Sequence, residues 1–180
     1  GVGMVLGIAV FSFIIPWCLQ VYPFPTSFCF IGLILGGVPA IIKPAKESLQ
    51  KEGLMDLQKE LLFPALPYRL AVISAEDAAG YRDFIRHLHE NPYGFSFDTE
   101  LYPALMQGAD CPASIIAALD MINDSQETYD AVLILRGGGA KLDLACYDDY
   151  DLAAVIAQYP LPVLTAIGHD QDYHVCDMVA

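Results

Sequence analysis

Apolar residues in the second part of the chain occur in short runs, which are separated by longer segments of mixed polarity. Runs of this length, bounded by polar or turn-forming residues, are typical of strands in a parallel sheet that is covered on both faces. The sequence predicts four such strands, over Arg69–Ser74, Phe95–Tyr102, Ala131–Leu135 and Pro162–Ile167.

The segments between these runs place apolar residues at the three- and four-residue spacing of an amphipathic helix. They predict helices over Glu47–Leu62, Glu76–Glu90, Cys111–Ile122 and Asp148–Gln158. Alternating strands and helices build βα units around a parallel sheet. We therefore expect an α/β fold, a Rossmann-like doubly wound sheet of about four parallel strands.

The beginning of the chain has a different pattern. Residues 1–42 contain no Asp, Glu, Lys or Arg. Gly1–Leu19 has the length of a membrane-spanning helix, whereas the second apolar run, Phe28–Ile42, is short for a span. A buried hydrophobic hairpin is the alternative interpretation. We expect two domains, a hydrophobic helical segment with the character of a membrane span in residues 1–46 and the α/β domain in residues 47–180.

Charge limits the partners that the α/β domain can bind. The chain has 22 Asp and Glu against 9 Lys and Arg, a net charge of −13. Non-specific nucleic-acid binding depends on Lys and Arg contacts to phosphates, so any such contact here must be local. The five cysteines are scattered and form no CxxC pair, which indicates reduced thiols in a cytoplasmic setting.

Candidate chemistry follows the predicted strands, because ligands of parallel α/β sheets bind beyond the carboxyl ends of the strands. The third strand continues into Arg136 and then Gly137, Gly138 and Gly139. Glycines can direct consecutive N–H groups toward an anion, and an arginine can make a bidentate contact with a phosphate. A tight turn that only needs glycine is the alternative.

The fourth predicted strand is followed by His169, with Asp172 three residues further on. A histidine titrates near neutral pH and therefore suits proton transfer, and the aspartate could orient the imidazole or hold a metal. Asp148, Asp149 and Asp151 form an acidic run. We interpret the run as a solvated helix start that is favoured by the helix dipole, with a metal site as the alternative.

Several pieces of the second domain, in this order and spacing, resemble the central catalytic segment of the exonuclease VII large subunit: DLQKE, LPYRLAVIS, YPALMQG, RGGG and PVLTAIGHDQD. The resemblance covers about residues 47–180. It implies a nuclease that degrades single-stranded DNA and whose large subunit binds several copies of a small helical subunit.

The resemblance also implies roles for individual residues. The catalytic positions of the family fall on Asp83, Arg136, His169 and Asp172. The phosphate-binding positions are Gln107, Gly108, Arg136 and Gly137 to Gly139. Either no metal is required, or Mg²⁺ is held with the help of Asp83 and Asp172. An N-terminal oligonucleotide-binding fold and a downstream coiled coil, which the family uses for DNA and the small subunit, are missing from the sequence.

We therefore expect a cytoplasmic nuclease-core fragment with weak activity or none by itself. A weaker resemblance links Tyr22–Ala40 to a polytopic membrane-protein family associated with undecaprenyl-phosphate transport, which implies membrane contact through residues 1–42. Two other hypotheses stay open. One is a Rossmann-like module that binds a phosphorylated ligand without cutting it, and the other is a membrane-protein fragment joined by chance to a nuclease core.

Overall fold

A computed structural model describes residues 42–137, 143–168 and 173–180. These residues belong to one compact unit, Ile41–Ala180. Almost all of the predicted hydrophobic segment lies outside the described residues. In the described ranges, no helix is both long enough and apolar enough to cross a membrane.

The described residues form four strands and five helices, with two short 3-10 turns at Gln58–Glu60 and Ala145–Asp148. The strands are β1 (Arg69–Ser74), β2 (Asp98–Pro103), β3 (Ala131–Arg136) and β4 (Val163–Ile167). The helices are α1 (residues 42–51), α2 (Ala79–His89), α3 (Cys111–Asp124), α4 (Tyr150–Ala157) and α5 (Val175–Val179).

All four strands are parallel and lie in the order β2-β1-β3-β4. This arrangement confirms the predicted α/β fold. The chain moves outward from β1 to β2 and then crosses back to place β3 on the other side of β1. The order of strands therefore reverses between β1 and β3, and in doubly wound sheets a ligand crevice forms at that point.

The sheet is covered on both faces, and alternate residues of its central strands serve different cores. In β1, Ala71 and Ile73 belong to the larger hydrophobic cluster, which α1, α3, α4 and α5 cover. Leu70 and Val72 belong to the smaller cluster on the opposite face, where Phe84 of α2 packs. Burying a side chain the size of Ile73 or Leu70 stabilises the fold by about 1.5–3 kcal/mol. Packing on both faces therefore stabilises the sheet.

The predicted helix over Glu47–Leu62 is wrong in its second half. The helix ends at residue 51 because Gly53 has a left-handed backbone, with φ +73°. The Gly53 N–H donates to the carbonyl of Gln50 (3.2 Å) and the Leu54 N–H to that of Leu49 (2.9 Å). This pair of bonds is a Schellman motif, which closes a helix at a glycine.

The segment after this break docks through one buried side chain. The amide nitrogen of Gln58 donates to the carbonyls of Ile156 (3.0 Å) and Tyr159 (2.9 Å). Its amide oxygen accepts from the N–H of Val163, at 2.9 Å. Gln58 therefore ties its 3-10 turn to the end of α4 and the start of β4, a role that the helical pattern did not indicate.

Candidate active site

A cleft of about 590 Å³ opens where the carboxyl ends of β1, β2 and β3 meet. We call it the switch-point cleft, since it lies where the strand order reverses. The described residues that line it come from the loop after β1, the first turn of α2, the loop after β2 and the end of β3. They include Asp83, Gln107, Arg136 and Gly137, which are four of the predicted site residues.

Arg136 is the last residue of β3, and its guanidinium reaches across to the loop after β2. Its Nε donates to the carbonyl of Met106 at 3.2 Å, and its Nη2 donates to Oε1 of Gln107 at 3.3 Å. Its Nη1 donates to the carbonyl of Gly137 at 2.6 Å. The structure therefore brings Arg136 and Gln107 into contact on one wall of the cleft, although they are far apart in sequence.

Asp83 lies on α2 and forms another part of the cleft lining. Its Oδ1 accepts a hydrogen bond from Nη2 of Arg86 at 2.8 Å, and both side chains are exposed. An exposed ion pair of this kind contributes little to stability. The carboxylate of Asp83 can therefore exchange its partner for a metal ion or another polar group at small cost.

The amino end of α2 also borders the cleft, through Ala78, Ala79 and Gly80. Ala78 is the N-cap and supplies no side-chain cap, and the first helical bond is the Arg82 N–H to the Ala78 carbonyl, at 3.2 Å. The N–H groups before Arg82 have no acceptor within the helix, and the helix dipole adds partial positive charge there. This end of α2 therefore favours an anion.

Gly108 lies beside the switch-point cleft rather than in its described lining. It has a left-handed backbone, with φ +87°, and it lines a neighbouring cavity of about 410 Å³ with Pro112 and Cys146. The left-handed turn is what requires a glycine here. Gln107 and Gly108 are adjacent in sequence but therefore face different cavities.

The carboxyl ends of β3 and β4 are neighbours. Arg136 pairs with Ile167 in the sheet, and the N–H of Gly168 donates to the carbonyl of Arg136 at 3.1 Å. Gly168 has φ +73°, which turns the chain immediately after β4. The remaining predicted site residues lie outside the described residues: Gly138, Gly139, His169 and Asp172.

The acidic run after β3 does not behave as one solvated helix start. Asp149 does cap α4, since its Oδ1 accepts from the Leu152 N–H at 3.0 Å. Asp148, in contrast, is buried and accepts from the Val175 N–H at 3.0 Å. The prediction of a solvated carboxylate is wrong for Asp148, because the 3-10 turn directs it inward.

Asp148 also faces His174, for which the sequence predicts no role. Nδ1 of His174 lies 3.3 Å from both carboxylate oxygens of Asp148, and both side chains are buried. Within the three described ranges, no group of three or more His, Cys, Asp or Glu side chains could hold a metal ion. Because Asp148 contacts both the His174 ring and the Val175 N–H, it fastens the start of α5 to the turn before α4.

Tyr147 is a buried residue next to the site that the sequence did not reveal. Its hydroxyl donates to the carbonyl of Met106 at 3.0 Å, the same carbonyl that accepts from Nε of Arg136. Burial raises the pKa of the Tyr147 phenol, so it remains a donor. A tyrosine in an irregular turn carries no pattern from which this role could have been predicted.

Comparison with known proteins gives a consistent result. The sequence profile of the family described as exonuclease VII, large subunit, matches residues 54–180. An exodeoxyribonuclease 7 large subunit from Campylobacter jejuni is 34% identical over 167 residues, which cover 90% of this chain and 42% of the relative. One from Brevibacillus brevis is 34% identical over 147 residues, 81% of this chain and 31% of the relative.

A third relative, an exodeoxyribonuclease 7 large subunit from Anaplasma marginale, is 30% identical over 152 residues. The chain thus spans less than half the length of each of these relatives. The C. jejuni match covers 90% of the chain, which is more residues than the segment 42–180 contains. The match therefore extends into the first 41 residues.

Proposed function

Because the chain belongs to the exonuclease VII large subunit family, we propose that its α/β domain is the catalytic core of a nuclease that hydrolyses phosphodiester bonds in single-stranded DNA. One observation carries the proposal. Arg136 and the amino end of α2 line the same cleft, at the point where strand order reverses. A permanent cation and free helical N–H groups around one space suit a phosphate.

Arg136 holds the scissile phosphate and stabilises the negative charge that develops on it in the transition state. Its planar guanidinium suits this task, because two parallel N–H groups can contact two phosphate oxygens. Its contacts with Met106 and Gln107 orient the group before substrate arrives. The backbone N–H groups of Gly137 to Gly139 complete the phosphate site, and Gln107 and Gly108 border it.

Hydrolysis requires a proton to leave the attacking water and a proton to reach the departing oxygen. Water adds to phosphorus, the bond from phosphorus to the leaving oxygen breaks, and His169 transfers a proton in this step. Asp172 orients His169. The adjacency of the β3 and β4 ends supports the assignment, since Gly168, the residue before His169, bonds to the backbone of Arg136.

Asp83 has two candidate roles, both compatible with an exposed carboxylate at the cleft. It can help to orient the proton-transfer residues, or it can bind Mg²⁺ together with Asp172. Carboxylate oxygens are ligands that Mg²⁺ prefers, so the residue type fits the ion. When bound, the ion would neutralise charge on the phosphate.

The domain needs help to bind DNA, because the chain has a net charge of −13, all of its Asp and Glu lie in this domain, and such a charge repels a polyanion. We propose that single-stranded DNA and an exonuclease VII small subunit are its partners in a complete assembly, and that it acts in the cytoplasm. The core by itself should cleave poorly, since the described lining of the cleft has one arginine beside two aspartates, Asp77 and Asp83, and gives little affinity for a long strand.

A chimera tests this proposal. Residues 54–180 replace the matching segment of the C. jejuni large subunit, which is then combined with its own small subunit and labelled single-stranded DNA. We expect oligonucleotide products. A folded chimera that binds the strand and leaves it intact would instead favour a phosphate-binding module without catalysis.

A further inference from the structure

The described lining of the switch-point cleft contains more acidic than basic side chains. Arg136 contributes one positive charge, and Asp77 and Asp83 contribute two negative charges. Asp83 accepts from Arg86 at 2.8 Å, so its charge has a partner. Among the described residues, no basic side chain pairs with Asp77 in this way. The proposed hydrolysis uses Arg136 and Asp83 but gives Asp77 no task.

A short turn holds Asp77 beside the amino end of α2. The N–H of Ala78 donates to the carbonyl of Ala75 at 3.0 Å, so Glu76 and Asp77 are the two central residues of this turn. Both are exposed, but only Asp77 belongs to the described lining of the cleft. Asp77 lies two residues before Ala79, where α2 begins, so at most about 8 Å separates their Cα atoms.

A carboxylate at this position has two opposite effects. The first N–H groups of a helix carry partial positive charge, and a nearby carboxylate stabilises the helix by interacting with them. The same carboxylate lowers the positive potential that this end of α2 offers to a phosphate. The separation of about 8 Å does not exceed the Debye length at physiological ionic strength, so salt abolishes neither effect. Asp77 should therefore stabilise α2 and weaken anion binding in the cleft.

The strength of this repulsion depends on the charge of the phosphate. An internal phosphodiester has one negative charge, whereas a phosphomonoester has nearly two above its second pKa, which is about 6. Coulomb energy is proportional to the charge of the ligand. Arg136 and the amino end of α2 by themselves would therefore favour the monoester. Asp77 opposes this preference, because it repels the monoester about twice as strongly in free energy as the diester.

We propose that Asp77 is a specificity-determining residue of the switch-point cleft, which shifts the preference of the cleft from phosphomonoesters toward internal phosphodiesters. The inference rests on the proposed function, because it requires that the cleft binds phosphate. An uncut strand presents diesters, and hydrolysis leaves a phosphomonoester on one of the two new ends. Asp77 thus weakens the retention of that product end, and the cleft stays available to the next internal bond.

Binding of two small phosphates to the full chain tests this inference. Dimethyl phosphate is a diester with one charge, and methyl phosphate is a monoester with nearly two charges at pH 8. NMR titrations follow the backbone N–H signals of Ala79 and Gly80, which line the cleft at the amino end of α2. They give a Kd of each ligand for the parent, for Asp77→Asn and for Glu76→Gln.

The two ligands should respond to Asp77→Asn by unequal factors. One charge near a helix end corresponds to about a two- to fivefold effect on the binding of a single opposite or like charge, so the Kd of dimethyl phosphate should fall by about this factor. The Kd of methyl phosphate should fall by about the square of it, about four- to 25-fold. Glu76→Gln removes the same charge from the other central residue of the turn and should change either Kd by less than about twofold.

Thermal unfolding provides a second readout, of opposite sign. Asp77→Asn removes a carboxylate that stabilises the start of α2, so its Tm should fall by about 1–4 °C while phosphate binding becomes tighter. A variant that was merely damaged would bind more weakly. Tighter binding by a slightly less stable protein therefore identifies the electrostatic effect.

The contrary outcomes separate this inference from the proposed function. Parent-like Kd values for Asp77→Asn, or equal factors for the two ligands, would overturn the role of Asp77 and leave phosphate binding in the cleft intact. Weaker binding by Asp77→Asn would also overturn it, since Asp77 would then assist the ligand. If neither ligand shifts the Ala79 and Gly80 signals of the parent or the variant, the cleft does not bind phosphate and the proposed function fails as well.

Discussion

Gly80 in the first turn of α2 lies directly against the backbone of Gly137 at the end of β3. A Cβ added to Gly80 would come within 3.3 Å of both the N and the Cα of Gly137. A Cβ added to Gly137 would meet the backbone of Gly80 at 3.8 Å, which is ordinary contact. This close approach sets the amino end of α2 beside Arg136, and it depends on the absence of a side chain at position 80.

The first prediction uses this asymmetry. Alanine normally stabilises a helix relative to glycine by up to about 1 kcal/mol. Gly80→Ala should instead lower the free energy of unfolding by about 1–3 kcal/mol, because the new methyl group overpacks against the backbone of Gly137. Gly137→Ala should have a smaller effect. Urea unfolding of both variants measures the difference, and a stabilised Gly80→Ala variant would show that the contact is not tight.

A second prediction separates the position of Arg136 from general stability. Tyr147→Phe removes the hydroxyl that holds the Met106 carbonyl, the acceptor for Nε of Arg136. Tyr159→Phe is its matched control, since this tyrosine also is buried and donates to a carbonyl, that of Leu119, at 3.0 Å. Each loss should cost about 0.5–1.5 kcal/mol of unfolding free energy.

Only Tyr147→Phe should also lower kcat, measured with the active chimera, while KM changes little. The reason is that Met106 would then hold Arg136 less firmly in the orientation that the transition state needs. Equal kcat values for the two tyrosine variants would show that Tyr147 serves stability alone.

A third prediction concerns neighbouring carboxylates of different burial. Asp148→Ala leaves the buried Val175 N–H without its acceptor and should cost about 1–3 kcal/mol. Asp151→Ala makes the same change of charge at an exposed position and should stay within about 0.5 kcal/mol of the parent. Thermal unfolding of the two variants compares them, and similar losses would argue against the buried role of Asp148.

A fourth prediction addresses the role of Asp83. Asp83→Asn in the chimera should slow cleavage in either of its two candidate roles. If Asp83 binds Mg²⁺, EDTA should silence the parent, and excess Mg²⁺ should partly restore the variant. If Asp83 orients other residues, EDTA should not slow cleavage by the parent, and excess Mg²⁺ should not restore cleavage by the variant. A variant that cleaves at the parent rate would remove Asp83 from the site.

The sequence predicted the central strands better than the sheet edge or the turns. The bounds of β1 agree with the prediction residue for residue, because a short apolar run bounded by polar residues is typical of a strand buried on both faces. β2 begins three residues later than predicted, at Asp98, which pairs with Arg69 at the start of β1. The residues just before Asp98 alternate between aromatic and polar side chains, as the residues of a strand do. They are not part of β2 because Asp98 already pairs with Arg69, the first residue of β1.

For the candidate site as well, the sequence predicted the residues that depend on strands and missed those that depend on turns. Arg136 ends β3 and Gln107 lies in the loop after β2, so both could be predicted, because the carboxyl ends of parallel strands meet at one edge. The burial of Asp148 and the role of Tyr147 could not be predicted, because both depend on a 3-10 turn whose partners, Val175 and Met106, are distant in sequence. The short helix α5 was also missed, since five residues are too few for a periodic pattern.

The next prediction concerns proton transfer by His169. This residue lies outside the described residues, so its place in the site is predicted from the sequence alone. In the active chimera, His169→Ala should slow cleavage by about 10² to 10⁴, the usual contribution of a general acid or base. Binding of single-stranded DNA should remain nearly unchanged. A variant that cleaves at the parent rate would leave a phosphate-binding cleft without an acid–base group.

The most direct test of the account is the rate of single-turnover cleavage after Arg136→Lys in the chimera, compared with Arg82→Lys. Both variants keep the positive charge and lose the planar guanidinium, but Arg82 is exposed on α2 and is not in the cleft lining. We predict a loss of about 10²- to 10³-fold for Arg136→Lys, by analogy with the removal of one transition-state donor, and parent-like cleavage for Arg82→Lys. Equal rates for the two variants would contradict the assignment of the switch-point cleft as the active site.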